Sequence, residues 1–271
     1  MKYLIAVGAT VVVLAVVAVA IALGHVPLLN ADNTAIKDQC RQQDAPGLQD
    51  LPLRIVLAGV NTSDLANRKI TEQHLEEVVL PEASTVGARV VVGTISANSS
   101  AEPDLVADLV LAATGDAADN PDNQAAAARK ATDRIVSCTK TALDRAAATG
   151  HRTATDIFGA VSWANSLIPP ETKDVKVIVL SDDVNTSRKA CDFNQQPIDP
   201  SSYDRIFATC AQGDYERLAS AEVWLGGIGL DDGDATTKQP STEDLTALWT
   251  AFFARHGAKV TNAGATLLPG E

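Results

Sequence analysis

VKVIVLS, residues 175–181, decides the fold. Val175, Val177, Ile178, Val179 and Leu180 leave little polar alternation, and a short apolar run of this kind predicts a strand covered on both faces. Pro169-Pro170 stop a helix just before it, and the polar turn SDDVN (181–185) follows it. Working outward, LRIVLAG (53–59) and ARVVVGTISA (88–97) read as further buried strands. DLVADLVLA (104–112) reads as an edge strand in hairpin contact with 88–97. EVWLGGIGL (222–230) and AKVTNA (258–263) complete the set.

Helical signals lie between these strands. Leu65, Ile70, His74 and Val78 share a face within 63–79. An Ala-rich helix over 124–148 carries Ile135, Cys138 and Ala142 on one side and ends at Gly150. Residues 156–167, a short helix at 213–220 and STEDLTALWTAFFARHG (241–257) follow, with Ser241 and Asp244 only loosely suited to a capping box. Residues 183–212 read as a long irregular insertion. Alternating strands and helices predict an α/β domain over 52–263, a mostly parallel central sheet with helices on both faces, and a tail at 264–271. With 271 residues the chain is long enough for a substantial core. Its net charge of −12 argues against nucleic acid and against docking on anionic lipid through a basic face.

YLIAVGATVVVLAVVAVAIAL (3–23) contains no charged residue. As a helix it would be roughly 31 Å long, enough to span a bilayer core of about 30 Å. Residues 1–24 are therefore expected to form an N-terminal transmembrane signal anchor, with the N-terminus cytoplasmic, Lys2 beside it, and the domain outside the cell membrane. The competing reading is a signal peptide cleaved at Ala18-Val19-Ala20 or Ala20-Ile21-Ala22, giving a secreted protein. Residues 25–51, with Gly24 just before them and Pro27, Pro46 and Gly47 within, read as a stem. Export fits the four cysteines, Cys40, Cys138, Cys191 and Cys210, all of which follow the apolar run. Of the three possible connectivities, Cys191–Cys210 is favoured because both lie in one irregular stretch, leaving Cys40–Cys138 to tie the stem to the body. A bridge over about 20 residues contributes roughly 3 kcal/mol in the chain-entropy account. Free buried thiols are the alternative.

Ligands of an open α/β sheet bind at the carboxyl ends of its strands. GVNTSD (59–64), HRTATD (151–156) and SDDVN (181–185) are expected to converge there. The arrangement resembles a von Willebrand factor A domain with its metal-ion-dependent adhesion site. TATDIFGAVSWAN (153–165) is similar to that family's G-x-T-D and small-residue helix. KVIVLSDD (176–183) is similar to its apolar strand ending in T-D-G, and GARVVVGTISANS (87–99) to its second strand. The resemblance spans roughly 52–262. It implies Thr155 as the middle-loop ligand and Asp182 as the last-strand carboxylate. The first motif, D-x-S-x-S in the family, departs from the pattern. In one register Gly59 takes the Asp position, Asn61 the first Ser and Ser63 the second. In the other, Asn61 replaces the Asp, Ser63 is the first Ser and Leu65 fills the second position. The key carboxylate is missing in both, with Asp64 adjacent. The implied metal set is Asn61, Ser63, Thr155 and Asp182, for Mg²⁺, Mn²⁺ or Ca²⁺. A degenerate, metal-free site is the counter-reading.

The expected role is a membrane-anchored, exported protein–protein interaction module at the cell envelope, not an enzyme. Its alternatives are a metal-free scaffold of an envelope complex and a metal-dependent hydrolase using Asp182, Asp183 and His151. DDGD (231–234) and DAADNPD (116–122) lack calcium-loop spacing. Asn61, Asn98 and Asn185 each begin an N-x-S sequon, and Trp163, Trp224 and Trp249 read as packing residues.

Overall fold

The computed structural model describes residues 40–41, 48–59, 65–96, 105–111, 120–149, 155–187, 189–229 and 240–267. The chain divides into two units, Met1–Gln39 and Cys40–Glu271. The first, with the apolar run 3–23, lies outside the described residues, as do Asn61, Ser63, Asp64, Asn98, His151 and the acidic loop 231–234. Among the described residues no helix is long and apolar enough to cross a membrane.

Six strands form one sheet: β1 (Leu53–Gly59), β2 (Arg89–Ile95), β3 (Leu105–Val110), β4 (Val175–Leu180), β5 (Glu222–Gly226) and β6 (Lys259–Gly264). Their order is β3-β2-β1-β4-β5-β6. All pairings are parallel except β2 with β3, which is antiparallel. The sheet is thus α/β, mixed and mostly parallel. β1 and β4 lie in the middle and are buried along their whole length, which is why both read as unbroken apolar runs.

The helices are α1 (Leu65–His74), α2 (Leu80–Thr85), α3 (Pro121–Thr149), α4 (Ile157–Leu167), α5 (Tyr203–Cys210) and α6 (Thr242–Arg255). They cover both faces. Leu57 belongs to the core shared with Phe158 of α4 and Trp249 of α6, while the next residue, Ala58, packs against Leu143 of α3. Successive strand residues point to opposite faces, so α3 lies across the sheet from α4 and α6.

A π-helical turn, Leu75–Val79, joins α1 to α2, and the Leu80 amide reaches back to the Leu75 carbonyl. Pro81 follows at once; it has no N–H and its ring crowds the carbonyl four residues back, which favours this widening. α4 is capped by Asp156, whose carboxylate accepts from the Gly159 amide at 3.1 Å. α6 is capped by Ser241, whose hydroxyl accepts from the Asp244 amide at 3.1 Å and donates to the Asp244 carboxylate at 2.6 Å.

Two disulfides, Cys40–Cys138 and Cys191–Cys210, close the body, with Cα–Cα distances of 6.1 and 5.6 Å. Three local expectations differ from the structure. The insertion contains a helix, α5, whose Ile206, Phe207 and Cys210 are buried. Residues 213–220 form only a 3-10 turn, Glu216–Leu218. β5 ends at Gly226 instead of running to 230, because Gly227 and Gly229 take φ of 95° and 68°, which a strand does not.

Candidate functional site

The strand order reverses between β1 and β4, one neighbour leading outward to β2 and the other to β5. The crevice outside the carboxyl ends of such a pair is where open α/β sheets bind ligands. Here β1 ends at Gly59, and Ser181 follows Leu180, the last residue of β4. Gly59 and Ser181 approach so closely that a Cβ on Gly59 would lie 3.1 Å from the Ser181 hydroxyl oxygen.

The turn after β4 is held by its own side chains. The Ser181 amide donates to the Gly226 carbonyl at 2.9 Å. The Ser181 hydroxyl donates to Asp182 Oδ1 at 3.1 Å and accepts from the Asp183 amide at 3.3 Å. Asp182 Oδ1 also accepts from the Val184 amide at 3.1 Å, and the Asp182 carbonyl accepts from the Gly229 amide at 3.1 Å. The half-buried Asp182 carboxylate is thereby fixed at the strand end.

Asp183 goes the other way. It is 0% exposed, takes φ of 62°, and neither carboxyl oxygen has a hydrogen-bond partner among the described residues. Burial, and then the charge of Asp182, push its carboxyl well above the usual carboxylate range. Its carbonyl accepts from Trp249 Nε1 at 3.0 Å. The two adjacent carboxylates therefore occupy different environments and do not act as a symmetric pair.

Thr155 precedes α4 and is tied to the segment after β4 in both directions. Its amide donates to the Thr186 hydroxyl at 2.8 Å, and its carbonyl accepts from the Thr186 amide at 2.8 Å. Its own hydroxyl is buried and has no partner among the described residues. An orphaned buried hydroxyl at a strand-end rim is an oxygen donor suited to a hard cation. Two of the four sequence-derived ligands, Thr155 and Asp182, are thus carried on segments that meet, while Asn61 and Ser63 lie outside the described residues. Among the described residues no group of three His, Cys, Asp or Glu side chains gathers as a metal site.

Asn185 is the residue that sequence reasoning missed. Only its sequon drew attention, yet it is 0% exposed and its amide nitrogen donates to the Cys191 carbonyl at 2.9 Å. That burial is incompatible with a glycan at this position in the folded chain. Little in the sequence signals its role, because its structural partner Ile157 lies 28 residues earlier.

A cavity of about 270 Å³, lined by Thr172, Lys173, Val175, Arg217 and Ser220 among others, opens at the other end of β4. It includes neither Thr155 nor Asp182. No family model matches the chain, and no curated protein matches it.

Proposed function

We propose that the chain is a von Willebrand factor A-like interaction module at the cell envelope, anchored by residues 3–23, whose rim at the ends of β1 and β4 engages a protein partner with the help of a weakly held divalent cation. One observation carries this reading: the reciprocal Thr155–Thr186 hydrogen bonds, both 2.8 Å, bring an orphaned buried hydroxyl to the segment that bears Asp182. Local agreement with T-D-G supports it further. Ser181, Asp182 and Asp183 stand at its three positions, and Asp183 takes φ of 62°, a value that a Gly would adopt at no steric cost.

The protein's own groups set the site. Asp182 provides the charge, held in place by the Ser181 hydroxyl and the Val184 amide. Thr155 provides a neutral oxygen, with Ser63 and Asn61 as the remaining donors. A bound Mg²⁺, Mn²⁺ or Ca²⁺ would supply an open coordination position for a carboxylate of the partner. Binding is favoured over hydrolysis because the second carboxylate, Asp183, is withdrawn into the core.

The test is calorimetric titration of Mg²⁺, Mn²⁺ and Ca²⁺ into the full chain in detergent, beside Asp182→Ala and Thr155→Val. Saturable binding lost in both variants supports the cation-dependent reading. No binding up to millimolar metal would remove the cation and leave the metal-free scaffold reading.

A further inference from the structure

We infer that Asn185 is a positioning residue that makes the disulfide-closed insertion (189–210) and the Thr155 rim a single mechanical unit, so that a protein partner bearing on the insertion also alters the rim. The consequence for ligand binding rests on the proposed function; the coupling itself rests on geometry alone.

All of the side-chain polar atoms of Asn185 are engaged. Its Oδ1 accepts from the Ile157 amide at 2.9 Å, at the first turn of α4. Its Nδ2 donates to the Cys191 carbonyl at 2.9 Å and to the Ser187 hydroxyl at 3.2 Å. Its main-chain carbonyl accepts from the Phe193 amide at 2.9 Å. The amide can point only one way, because an N–H faces one end and a C=O the other. One buried side chain thus joins the start of α4 to the first residues of the insertion. The adjacent residue, Thr186, grips Thr155 from both sides.

Packing follows the same route. Phe193 of the insertion meets Phe158 of α4 edge-on at 6.2 Å and Trp249 of α6 at 6.1 Å between ring centroids. Trp249 in turn holds the Asp183 carbonyl. At the far end of the insertion, Cys210 closes α5 back onto Cys191. Cys191 is therefore fixed by the disulfide on one side and by Asn185 on the other. Moving the insertion means breaking the Asn185 amide's bonds in a buried setting, where an unmade hydrogen bond is costly. Coupling of this kind is reciprocal: whatever shifts the insertion shifts the rim, and a ligand that fixes the rim fixes the insertion.

Amide hydrogen exchange on the full chain tests this, comparing wild type with Cys191→Ser/Cys210→Ser and with Asn185→Asp. Opening the disulfide should speed exchange within 189–210 and also at Ile157 and Thr186, by about tenfold, a size typical of site–site coupling. Amides of β1 and β4 should exchange as in wild type. Asn185→Asp keeps an acceptor for Ile157 but loses both donors, so it should speed exchange at 191–193 while Ile157 stays protected. A purely structural role would instead raise exchange throughout. Acceleration confined to 189–210 in the double variant, with Ile157 and Thr186 unchanged, overturns the inference. So does loss of Ile157 protection in Asn185→Asp equal to that of 191–193, which keeps the inference falsifiable if the cysteine variant unfolds. Absence of Mn²⁺ binding with this exchange pattern intact would reject the cation site and leave the coupling standing.

Discussion

Arg54 and Glu82 make a two-point ion pair inside the protein, with Nε to Oε2 at 2.9 Å and Nη2 to Oε1 at 2.8 Å. Arg54 lies on β1 and Glu82 on α2, so the pair fixes a helix against the centre of the sheet. The Lys176 ammonium, on the neighbouring strand β4, reaches the same Glu82 oxygen at 3.0 Å and stacks over the Trp224 ring at 3.8 Å. Side-chain exposures are 3% for Arg54 and 7% for Lys176, so solvent screens neither charge well.

Glu82→Ala should therefore cost about 3–5 kcal/mol, the scale for removing one partner of a buried pair. Asp174, which also bonds Arg54 at 2.8 Å, would remain as its counter-charge. Asp174 is more exposed than Glu82, so Asp174→Ala should cost less. Urea unfolding of both variants checks the order; equal losses would show that Glu82 is not the dominant partner.

Gly93 on β2 lies against Trp163 of α4 with no room for a side chain. A Cβ there would fall 2.5 and 2.6 Å from two ring carbons. Gly93→Ala should destabilise by about 1–3 kcal/mol through overpacking. Trp163→Leu removes the opposing ring, so the double variant should lose less than the two single losses added together. Additive losses in thermal unfolding would mean the ring moves aside freely.

The sheet was legible because its central strands are buried on both faces, and such strands announce themselves by composition: VKVIVL and LRIVLAG contain almost nothing else. The rim was legible at Asp182, which follows a strand end, while Thr155 came only from the resemblance to a von Willebrand factor A domain. Asp183 and Asn185 were not, since their meaning comes from burial, and a polar residue in a turn gives no sign of being inside. α5 was hidden for a related reason. Its eight residues are too few for a helical period to stand out, and its stability comes from burying Ile206 and Phe207. The strand expected through 230 failed at Gly227, where a Cβ would lie 2.7 Å from the Ser181 carbonyl oxygen.

His74 gives the fold a sensitivity to mild acid. It is buried, and its Nε2 accepts from the Leu267 amide at 3.2 Å, which requires the neutral ring with its proton on Nδ1. Burial lowers its pKa, and the charge of Glu77 offsets that only in part. The stability tied to the neutral ring is present above the unfolded value near 6.5 and is lost as pH falls through the lower folded value. Unfolding free energy should thus drop as pH falls below about 6.5. His74→Gln, which can still accept from Leu267, should flatten that part of the profile; an unchanged slope would assign the acid sensitivity elsewhere.

Asp183 works in the opposite sense. Its folded pKa is raised, so the stability tied to its neutral form is fully present below the unfolded value near 3.9 and is lost as pH rises through the folded value. At pH 8 the protein bears the cost of a carboxyl with no partner among the described residues, beside the charge of Asp182. Asn has the same shape, carries no charge and tolerates the left-handed φ of 62°. Asp183→Asn should therefore be more stable than wild type at pH 8, because it removes the cost of ionising the carboxyl. Its amide finds no more partners than the carboxyl did, so the gain is the linkage one, about 1.4 kcal/mol for each pH unit by which burial raises the group. The advantage should shrink toward zero as pH approaches 4. Asp183→Ala should not gain as much, because a Cβ without a local hydrogen-bonding group disfavours that φ. Denaturant unfolding of the three proteins across this range checks this: an advantage for Asn that does not depend on pH would mean that Asp183 is ionised in the folded protein over the whole range, as in the unfolded chain, and that burial does not raise its pKa.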